Sequence, residues 1–393
     1  MGVFFSEMKL LLINPYFKGE KEFRVSSPPL SLGFLGTYVR DHSNCEVEIV
    51  DPIPQGLSEK QVLDKVKESD IVGLTCITDN RFQCFDFAKK IKQTNPNCKL
   101  IVGGPHVNTL DKLILDHYPF IDVIIRGEGE ETVLDLVKNK PYKEIPGITW
   151  KNNEKIIQNP DRPFIQDIDN LYCDYSLLPD LTKYKPDIEA PDELKKMKTA
   201  YIVASRGCPF KCTYCASEYW KRTWRAVSPE ELVKRMEYLH SQYGIEYFRF
   251  YDDLFTVNEK RIFKFCEVLK KSKLDIVFRV ECRIGTKRDI LKALRDVGCR
   301  VLGMGVESGS DKILKRINKA ITRQQIEKTI KTARELDYWM IGFFMVSMPD
   351  ETIKDYKKSL ELLKYFDVHT FSIMRIYPNT PFYNELKDRK SVV

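Results

Sequence analysis

The sequence lacks any apolar run long enough to cross a membrane. Its longest, around residues 340–348, is far shorter than the about 20 residues that a spanning helix needs. The amino terminus also lacks a basic leader and a small-residue cleavage site, so we expect no secretory signal. With 30% charged residues, the chain is expected to be a cytoplasmic globular protein without a membrane span.

The cysteines lack the spacing of a secreted disulfide framework. Of the 11 cysteines, eight are dispersed and stand mostly in apolar contexts, which favours buried free thiols in a reducing compartment. None occurs after Cys299, so we expect no further cysteine-rich domain. The net charge of +7 comes mainly from lysines scattered over helical patterns. Such a distribution favours solvated faces, and we expect no nucleic-acid partner.

The other three cysteines, Cys208, Cys212 and Cys215, form a C-x3-C-x2-C array with no fourth cysteine at short spacing. Three thiolates can hold three corners of a four-iron cluster and leave one iron free to bind a substrate or cofactor. This pattern indicates catalysis more than electron storage. A zinc site is the alternative, but zinc usually takes a fourth Cys or His in paired spacing, and the nearest histidine, His240, stands in a helical pattern.

Residues 9–140 alternate between strand and helix patterns. Five short apolar runs predict strands at 9–15, 45–52, 71–76, 99–104 and 122–126. Helical patterns between them, such as 58–68 and 81–93, predict a parallel, doubly wound α/β sheet, whose ligands bind at the carboxyl ends of the strands. The candidate residues at those ends are Asp51, Thr75, Thr78, Gly103, Gly104, Pro105, His106, Gly127, Glu128, Gly129 and Glu130. Ordinary strand-to-helix turns are the alternative interpretation.

Residues 141–198 break this alternation with a hairpin pattern at 145–158 and a connector rich in Pro and Asp. We therefore predict one domain over 1–140 and a second over 199–390. The second contains six strand patterns, at 201–205, 247–252, 276–281, 300–305, 340–347 and 370–377. Helical patterns separate them, which predicts a partial (β/α)6 barrel with its chemistry at the carboxyl ends of the strands. The cysteine array follows the first of these strands and lies on that face.

The array, with Tyr214 directly before its last cysteine, resembles the signature of radical S-adenosylmethionine (SAM) enzymes. Later segments agree in order, at 251–253, 281–283, 305–310, 347–352 and 377–381. Residues 1–140, with Gly-Gly-Pro-His at 103–106 and Gly-Glu-Gly-Glu at 127–130, resemble the cobalamin-binding domain of one branch. The resemblance covers nearly the whole chain, and it implies a 4Fe–4S cluster, SAM and cobalamin as cofactors.

The resemblance also implies roles for individual residues. Cys208, Cys212 and Cys215 would ligate three irons, and the fourth iron would bind SAM. Contacts to SAM are implied for Tyr214, Asp252, Asp253, Arg283, Glu307, Ser308, Met348 and Tyr377. Core packing remains the alternative for Tyr214, Met348 and Tyr377. Cobalamin contacts are implied for the candidate residues at the strand ends of residues 1–140. No catalytic acid or base stands out.

The sequence departs from the family pattern at several turns. Ser347, Asp350 and Asn379 stand where relatives have glycine. Asn and Asp tolerate the left-handed conformation, so we expect the turns to survive. The Asp-x-His-x-x-Gly segment that supplies a cobalt ligand elsewhere is absent, and His106 follows the fourth strand instead. We therefore expect no protein histidine on cobalt.

The function that the resemblance implies is a cobalamin-dependent methyltransferase. A 5′-deoxyadenosyl radical would take hydrogen from an unactivated carbon, and methylcobalamin would supply the methyl group. The alternative is a radical rearrangement or oxidative ring closure on the same scaffold, with or without cobalamin. The expected substrate is a small molecule, lipid or peptide, and the expected partner is a one-electron reductant such as flavodoxin or ferredoxin.

Overall fold

The central strands near the amino terminus are almost wholly apolar, because a parallel sheet covered by helices on both faces buries all their side chains. Leu10 to Ile13 and Ile71 to Leu74 are buried without a break. The structure, a computed structural model, describes residues 8–15, 27–184 and 186–387. The chain divides into two units, Met1–Lys185 and Pro186–Val393. No helix within the described ranges is long and apolar enough to cross a membrane.

The first unit contains one seven-stranded sheet. Its strands are β1 (Lys9–Ile13), β2 (Glu46–Val50), β3 (Ile71–Thr75), β4 (Lys99–Gly103), β5 (Val123–Ile125), β6 (Ile148–Asn152) and β7 (Lys155–Gln158). Its helices are α1 (Leu30–His42), α2 (Pro52–Gln55), α3 (Glu59–Val66), α4 (Arg81–Thr94), α5 (Asp111–His117) and α6 (Glu130–Val137). The strand order is β2-β1-β3-β4-β5-β6-β7, and the first five strands are parallel.

This order reverses between β1 and β3, which makes their carboxyl ends the place where a doubly wound sheet binds its ligand. The predicted hairpin forms β6 and β7, and it extends the sheet because β6 pairs antiparallel with β5. The boundary between the units follows Lys185, inside the 141–198 segment.

The second unit contains a six-stranded parallel sheet in the order β8-β11-β12-β13-β14-β15. Its strands are β8 (Thr199–Ile202), β11 (Tyr247–Phe250), β12 (Val277–Cys282), β13 (Cys299–Glu307), β14 (Trp339–Val346) and β15 (Val368–Ile373), with β9 (Ser205–Arg206) and β10 (Arg225–Ala226) as a separate pair. Its helices are α7 (Asp192–Lys195), α8 (Pro229–Tyr243), α9 (Glu259–Ser272), α10 (Arg288–Asp296), α11 (Asp311–Arg316), α12 (Arg323–Glu335), α13 (Ile353–Leu363) and α14 (Pro381–Lys387).

Strands in sequential order with a helix after nearly every one confirm the predicted fold class, a doubly wound sheet followed by a partial barrel. Local signals account for the helix starts: the side chain of Ser228 accepts from the backbone N–H of Glu231, and Pro229 occupies the first turn of α8. All five barrel helices that the sequence indicated are present.

Candidate functional site

The loop that carries the three cysteines leaves the carboxyl end of the barrel's first strand. Gly207, directly before Cys208, has φ of +90°, and a Cβ there would lie 2.3 Å from the carbonyl oxygen of Thr223. Only glycine fits this approach. The backbone N–H of Thr213 donates to the carbonyl oxygen of Ile317 at 3.0 Å, which ties the loop to the segment after α11.

The three cysteines are free and partly exposed. The Sγ of Cys215 accepts from the backbone N–H of Ser217 at 3.4 Å. Burial raises the pKa values of Cys208 and Cys212. Within the described ranges, no three Cys, His, Asp or Glu side chains lie close enough together to hold a single metal ion. In a four-iron cluster each protein-bound iron takes one thiolate, so three partly exposed thiols in one loop can hold three of the irons and leave the fourth open.

Arg283, at the end of β12, lies against this loop. Its guanidinium carbon is 3.5 Å from the ring centroid of Phe210, and it donates to the carbonyl oxygen of Lys319 at 2.6 Å. Burial lowers the pKa of Arg283, whereas the thiols of Cys212 and Cys208 act in the opposite direction. The predicted SAM contact therefore lies beside the cysteines.

Glu307 is held in an unusual backbone conformation at the end of β13. The register with β14 shifts between Gly305 and Glu307, and the φ of Glu307 is +64°. Its carboxylate pairs with Lys319 at 2.8 Å, and the two side chains are only 10% and 11% exposed. Burial alone would lower the pKa of Lys319, but attraction to Glu307 and Cys212 raises it. The sequence analysis missed Lys319, because one lysine among 63 basic residues carries no distinguishing signal.

Tyr214 lies within the same group. Burial raises its pKa strongly, and the carboxylate of Glu307 and the thiols of Cys212 and Cys215 add to this effect. The residue before the last cysteine is therefore close to the predicted ribose contact.

The neighbouring Asp252 and Asp253 have different surroundings. Asp252 is 3% exposed, and its two oxygens accept from the backbone N–H of Ala204 at 2.7 Å and the hydroxyl of Ser205 at 2.6 Å. Burial raises its pKa to about 6. Asp253 is open to solvent, yet surrounding protein raises its pKa, and its charge raises the pKa of Cys208. Such a combination is typical of a group in a concave site.

The other predicted SAM contacts lie at the ends of later strands. Ser308 is fully buried, and its hydroxyl accepts from the backbone N–H of Ser310 at 3.2 Å. Met348 is 4% exposed, and its backbone N–H donates to Glu351 at 3.3 Å. Tyr377 is half-buried in the turn before α14. The hydroxyl of Ser308 therefore has a structural role in the turn after β13.

The three positions where relatives carry glycine are all left-handed. The φ values are +65° at Ser347, +66° at Asp350 and +63° at Asn379. This confirms that the turns survive the substitutions, at the energetic cost that a side chain brings to this conformation.

In the first unit, a polar group lies at the carboxyl ends of β3 and β4. The hydroxyl of Thr78 is 3.2 Å from Nδ1 of His106. Burial lowers the pKa of His106 to about 4, and Arg81 contributes in the same direction, so the imidazole is neutral at pH 7. The carbonyl oxygen of Thr75 accepts from the side chain of Asn80 at 3.3 Å.

The glycines of this edge have different surroundings. At Gly104, with φ of +108°, a Cβ would lie 2.5 Å from the carbonyl oxygen of Cys76, so glycine is required by contact with the backbone directly after β3. At Gly127, with φ of +75°, a Cβ would meet nothing within 4 Å, which leaves open space above the backbone. The remaining residues of the edge are Gly103 at the end of β4, exposed Pro105, and Gly129 and buried Glu130 at the start of α6.

Two acidic residues that were predicted to contact cobalamin, Asp51 and Glu128, accept hydrogen bonds from other residues of the first unit. Asp51 accepts from the amide of Asn14 at 3.2 Å and the hydroxyl of Tyr184 at 3.0 Å, and burial raises its pKa to about 6. Glu128 accepts from the backbone N–H of Ile165 at 2.7 Å. These bonds fix the chain near the edge of the sheet. Open space at Gly127 and partly exposed His106 and Thr78 suit a bulky planar ligand.

Two family models match the chain. The model of the radical SAM superfamily matches residues 202–363, which contain the three cysteines. The model of the B12 binding domain matches residues 22–137. Together they define a radical SAM enzyme that carries a B12-binding domain before its barrel.

Curated relatives extend over nearly the whole chain. An uncharacterized methyltransferase of Pyrococcus horikoshii is 34% identical over 387 residues, which cover 95% of this chain and 82% of the relative. An anaerobic magnesium-protoporphyrin IX monomethyl ester cyclase of Cereibacter sphaeroides is 26% identical over 402 residues, which cover 98% of this chain and 64% of the relative. The chain belongs to the radical SAM superfamily, in the branch with an amino-terminal B12-binding domain.

A solved structure has the same fold. The radical SAM methyltransferase TsrM from Kitasatospora setae matches with a TM-score of 0.78 at 18% identity, over 98% of this chain and 76% of that chain. This match confirms the predicted fold. The two family models and the relative from Pyrococcus horikoshii confirm the predicted family and enzyme class, and with them the three cofactors, the 4Fe–4S cluster, SAM and cobalamin.

Proposed function

We propose that this protein is a cobalamin-dependent radical SAM methyltransferase that methylates an unactivated carbon. When bound, the cluster and SAM supply a 5′-deoxyadenosyl radical, and cobalamin supplies the methyl group. The observation that carries the proposal is the loop of three cysteines at the carboxyl end of the first barrel strand. The relative named a methyltransferase supports the type of reaction.

Cys208, Cys212 and Cys215 would ligate the cluster in this proposal. Arg283 and Lys319 place two cations beside the loop, and nearby cations stabilise thiolates. The backbone bond from Thr213 to Ile317 holds the loop against the barrel end that carries Lys319.

The same proposal assigns the SAM contacts. Asp253 would accept from the ammonium group, because both oxygens of Asp252 are already bonded within the protein. Glu307 would accept from the ribose hydroxyls while Lys319 holds its other oxygen. Tyr214 would lie against the adenine. Ser308, Met348 and Tyr377 would shape the pocket wall, and Arg283 would pair with the carboxylate of SAM.

Cobalamin would occupy the carboxyl edge of the first sheet near Gly127, Thr78 and His106. A matched pair of variants tests this. Gly127→Val and Gly56→Val each place a side chain at a left-handed position with open space around it, at a cost of about 1–2 kcal/mol. We expect only Gly127→Val to lose corrin absorbance on gel filtration. Equal retention by both variants would contradict the placement.

The central experiment is anaerobic reconstitution with iron, sulfide and cobalamin, followed by SAM and a reductant. We expect 5′-deoxyadenosine from the wild type and none when any array cysteine is replaced by alanine. Cys173→Ala, which removes a partly exposed thiol of the first unit, is the control and should retain the signal. Persistent deoxyadenosine formation in all three array variants would refute the ligand assignment.

Oxidative ring closure is the second candidate, favoured by the relatives named as cyclases. Product mass separates the two reactions, because methylation adds a carbon and ring closure does not. We further propose a small-molecule substrate, a flavodoxin or ferredoxin as reductant, no nucleic-acid partner and a cytoplasmic location.

A further inference from the structure

The segment that precedes β8 lies at the amino end of the barrel of the second unit. Ala190 and Leu194 pack with Tyr247, Val301 and Ile341 in one apolar cluster. The indole N–H of Trp339, the first residue of β14, donates to the backbone of this segment at 2.9 Å. The segment therefore packs against the amino ends of β11, β13 and β14, at the end of the barrel opposite to the cysteine loop.

This segment also joins a network of charged side chains. Arg279 is fully buried, and one of its terminal nitrogens donates to Asp187 at 2.9 Å and to Glu189 at 2.8 Å. Arg249, its register partner on β11, donates to Asp187 at 3.3 Å. The other terminal nitrogen of Arg279 donates to Oε1 of Glu281 at 3.0 Å. Three carboxylates thus face two guanidiniums, which leaves one negative charge in excess.

Glu281 is the member of the network that remains accessible. Its side chain is 24% exposed, compared with 0% for Asp187 and Arg279. Among the described residues, no group donates to its Oε2. Glu281 lies on β12 two residues after Arg279 and two residues before Arg283, which directly follows the strand. Because side chains alternate along a strand, Glu281 shares the face of Arg279 and lies nearer to the cysteine loop.

The neighbouring strand leaves room for this carboxylate. Gly303 of β13 pairs in register with Glu281, and a Cβ at position 303 would lie 2.0 Å from Oε2. Any other residue would displace the carboxylate from its place. The glycine therefore preserves a free acceptor inside the barrel.

An aromatic ring, that of Tyr251, lies close to the same network. Tyr251 is 39% exposed, and its ring centroid is 5.3 Å from the guanidinium carbon of Arg249, which places the ring on the inner side of the barrel. A carboxylate with a free oxygen and an accessible aromatic ring together suit an ammonium group, through a charged hydrogen bond and a cation–π contact.

We propose that Glu281 and Tyr251, inside the barrel, recognise the substrate, and that the substrate is a protonated amine. This inference rests on the proposed function, because it places the substrate within reach of the radical. An amine would neutralise the excess charge of the network, whereas a carboxylate or phosphate would add to it.

Three probes of equal length test the proposal: n-butylamine, 1-butanol and butyrate. Their binding to the reconstituted holoprotein is measured by saturation-transfer NMR. We expect the amine to bind best, and Glu281→Gln to weaken its binding by about tenfold or more, the loss expected for one charged hydrogen bond. Glu281→Asp should retain part of the preference, and Tyr251→Leu should weaken it several-fold.

Glu246→Gln is the matched control, since it makes the same change of charge at an exposed position just before β11. It should leave amine binding unchanged. Equal binding of the three probes, or an unchanged amine affinity in Glu281→Gln, overturns the proposal. So does a loss of SAM affinity in Glu281→Gln without a loss of amine affinity, because the carboxylate would then serve the cofactor. The proposed function is tested separately, by measuring deoxyadenosine formation in the same samples without any probe.

Discussion

Asp252 and Asp253 are adjacent in the sequence, but the structure predicts opposite consequences when each is replaced by asparagine. The buried carboxylate of Asp252 holds the turn between β8 and β9, through Ala204 and Ser205. Asp253 is open to solvent beside Cys208. We expect Asp252→Asn to alter the pH dependence of stability and Asp253→Asn to alter the affinity for SAM.

The magnitude follows from the pKa of Asp252, which burial raises from 3.8 to about 6. The folded state binds this proton more tightly than the unfolded state does. The stabilisation is therefore complete below pH 4 and is lost as the pH rises through 6. Relative to Asp252→Asn, the wild type should gain on the order of 1 kcal/mol when the pH falls from 7.5 to 5.

Urea unfolding of the full chain, followed by tryptophan fluorescence, measures this difference. Three of the four tryptophans, Trp220, Trp224 and Trp339, lie in the second unit. For Asp253→Asn, we expect unfolding to change little and the SAM concentration at half-maximal deoxyadenosine formation to rise about tenfold, as one charged hydrogen bond is lost. A flat pH difference for Asp252→Asn, together with equal losses of SAM affinity in both variants, would refute the reasoning.

Three further perturbations follow from the structure. Lys319→Met should reduce deoxyadenosine formation at least tenfold and destabilise the fold, and adding Glu307→Gln should recover stability but not activity, as a double-mutant cycle would measure. The wild type should lose stability relative to His106→Asn as the pH falls from 6.5 toward 4. The reason is that the imidazole of His106 becomes protonated in the unfolded chain at a higher pH than in the folded protein. Thermal unfolding across this pH range measures the effect. Gly104→Ala should lower the free energy of unfolding by roughly 2–4 kcal/mol, through both its positive φ and its contact with Cys76, as urea unfolding can check.

Local sequence patterns predicted the strands and the position of the cysteine loop well. The reason is that a buried parallel strand needs a continuous apolar run, and such runs end where the polar residues of a site begin. The left-handed turns at Ser347, Asp350 and Asn379 were also predictable, since the surrounding motif fixes the backbone whatever residue occupies it.

Long-range pairings were not predictable in the same way. Lys319 reaches Glu307 because the helix α11 between them returns the chain to the end of β13, and no local pattern encodes that return. The difference between Asp252 and Asp253 depends on which carboxylate meets the turn after β8, 47 and 48 residues earlier in the chain. Asp187 and Glu189 lie in the segment that the sequence predicted to be a connector, yet their carboxylates pair with the buried Arg279 of the barrel.

Strand β13 explains how one barrel accommodates two acidic side chains on the same inner face. Gly303 leaves space for Glu281, and a Cβ at Gly305 would lie 2.7 Å from a carboxylate oxygen of Glu307. The register shifts after Gly305, and the φ of Glu307 is positive, so the carboxylate of Glu307 folds back over Gly305. There it pairs with Lys319. Such a backbone costs about 1–3 kcal/mol and persists only where its surroundings enforce it. The strain at Glu307 is therefore explained by the position of its carboxylate, which a regular strand could not provide.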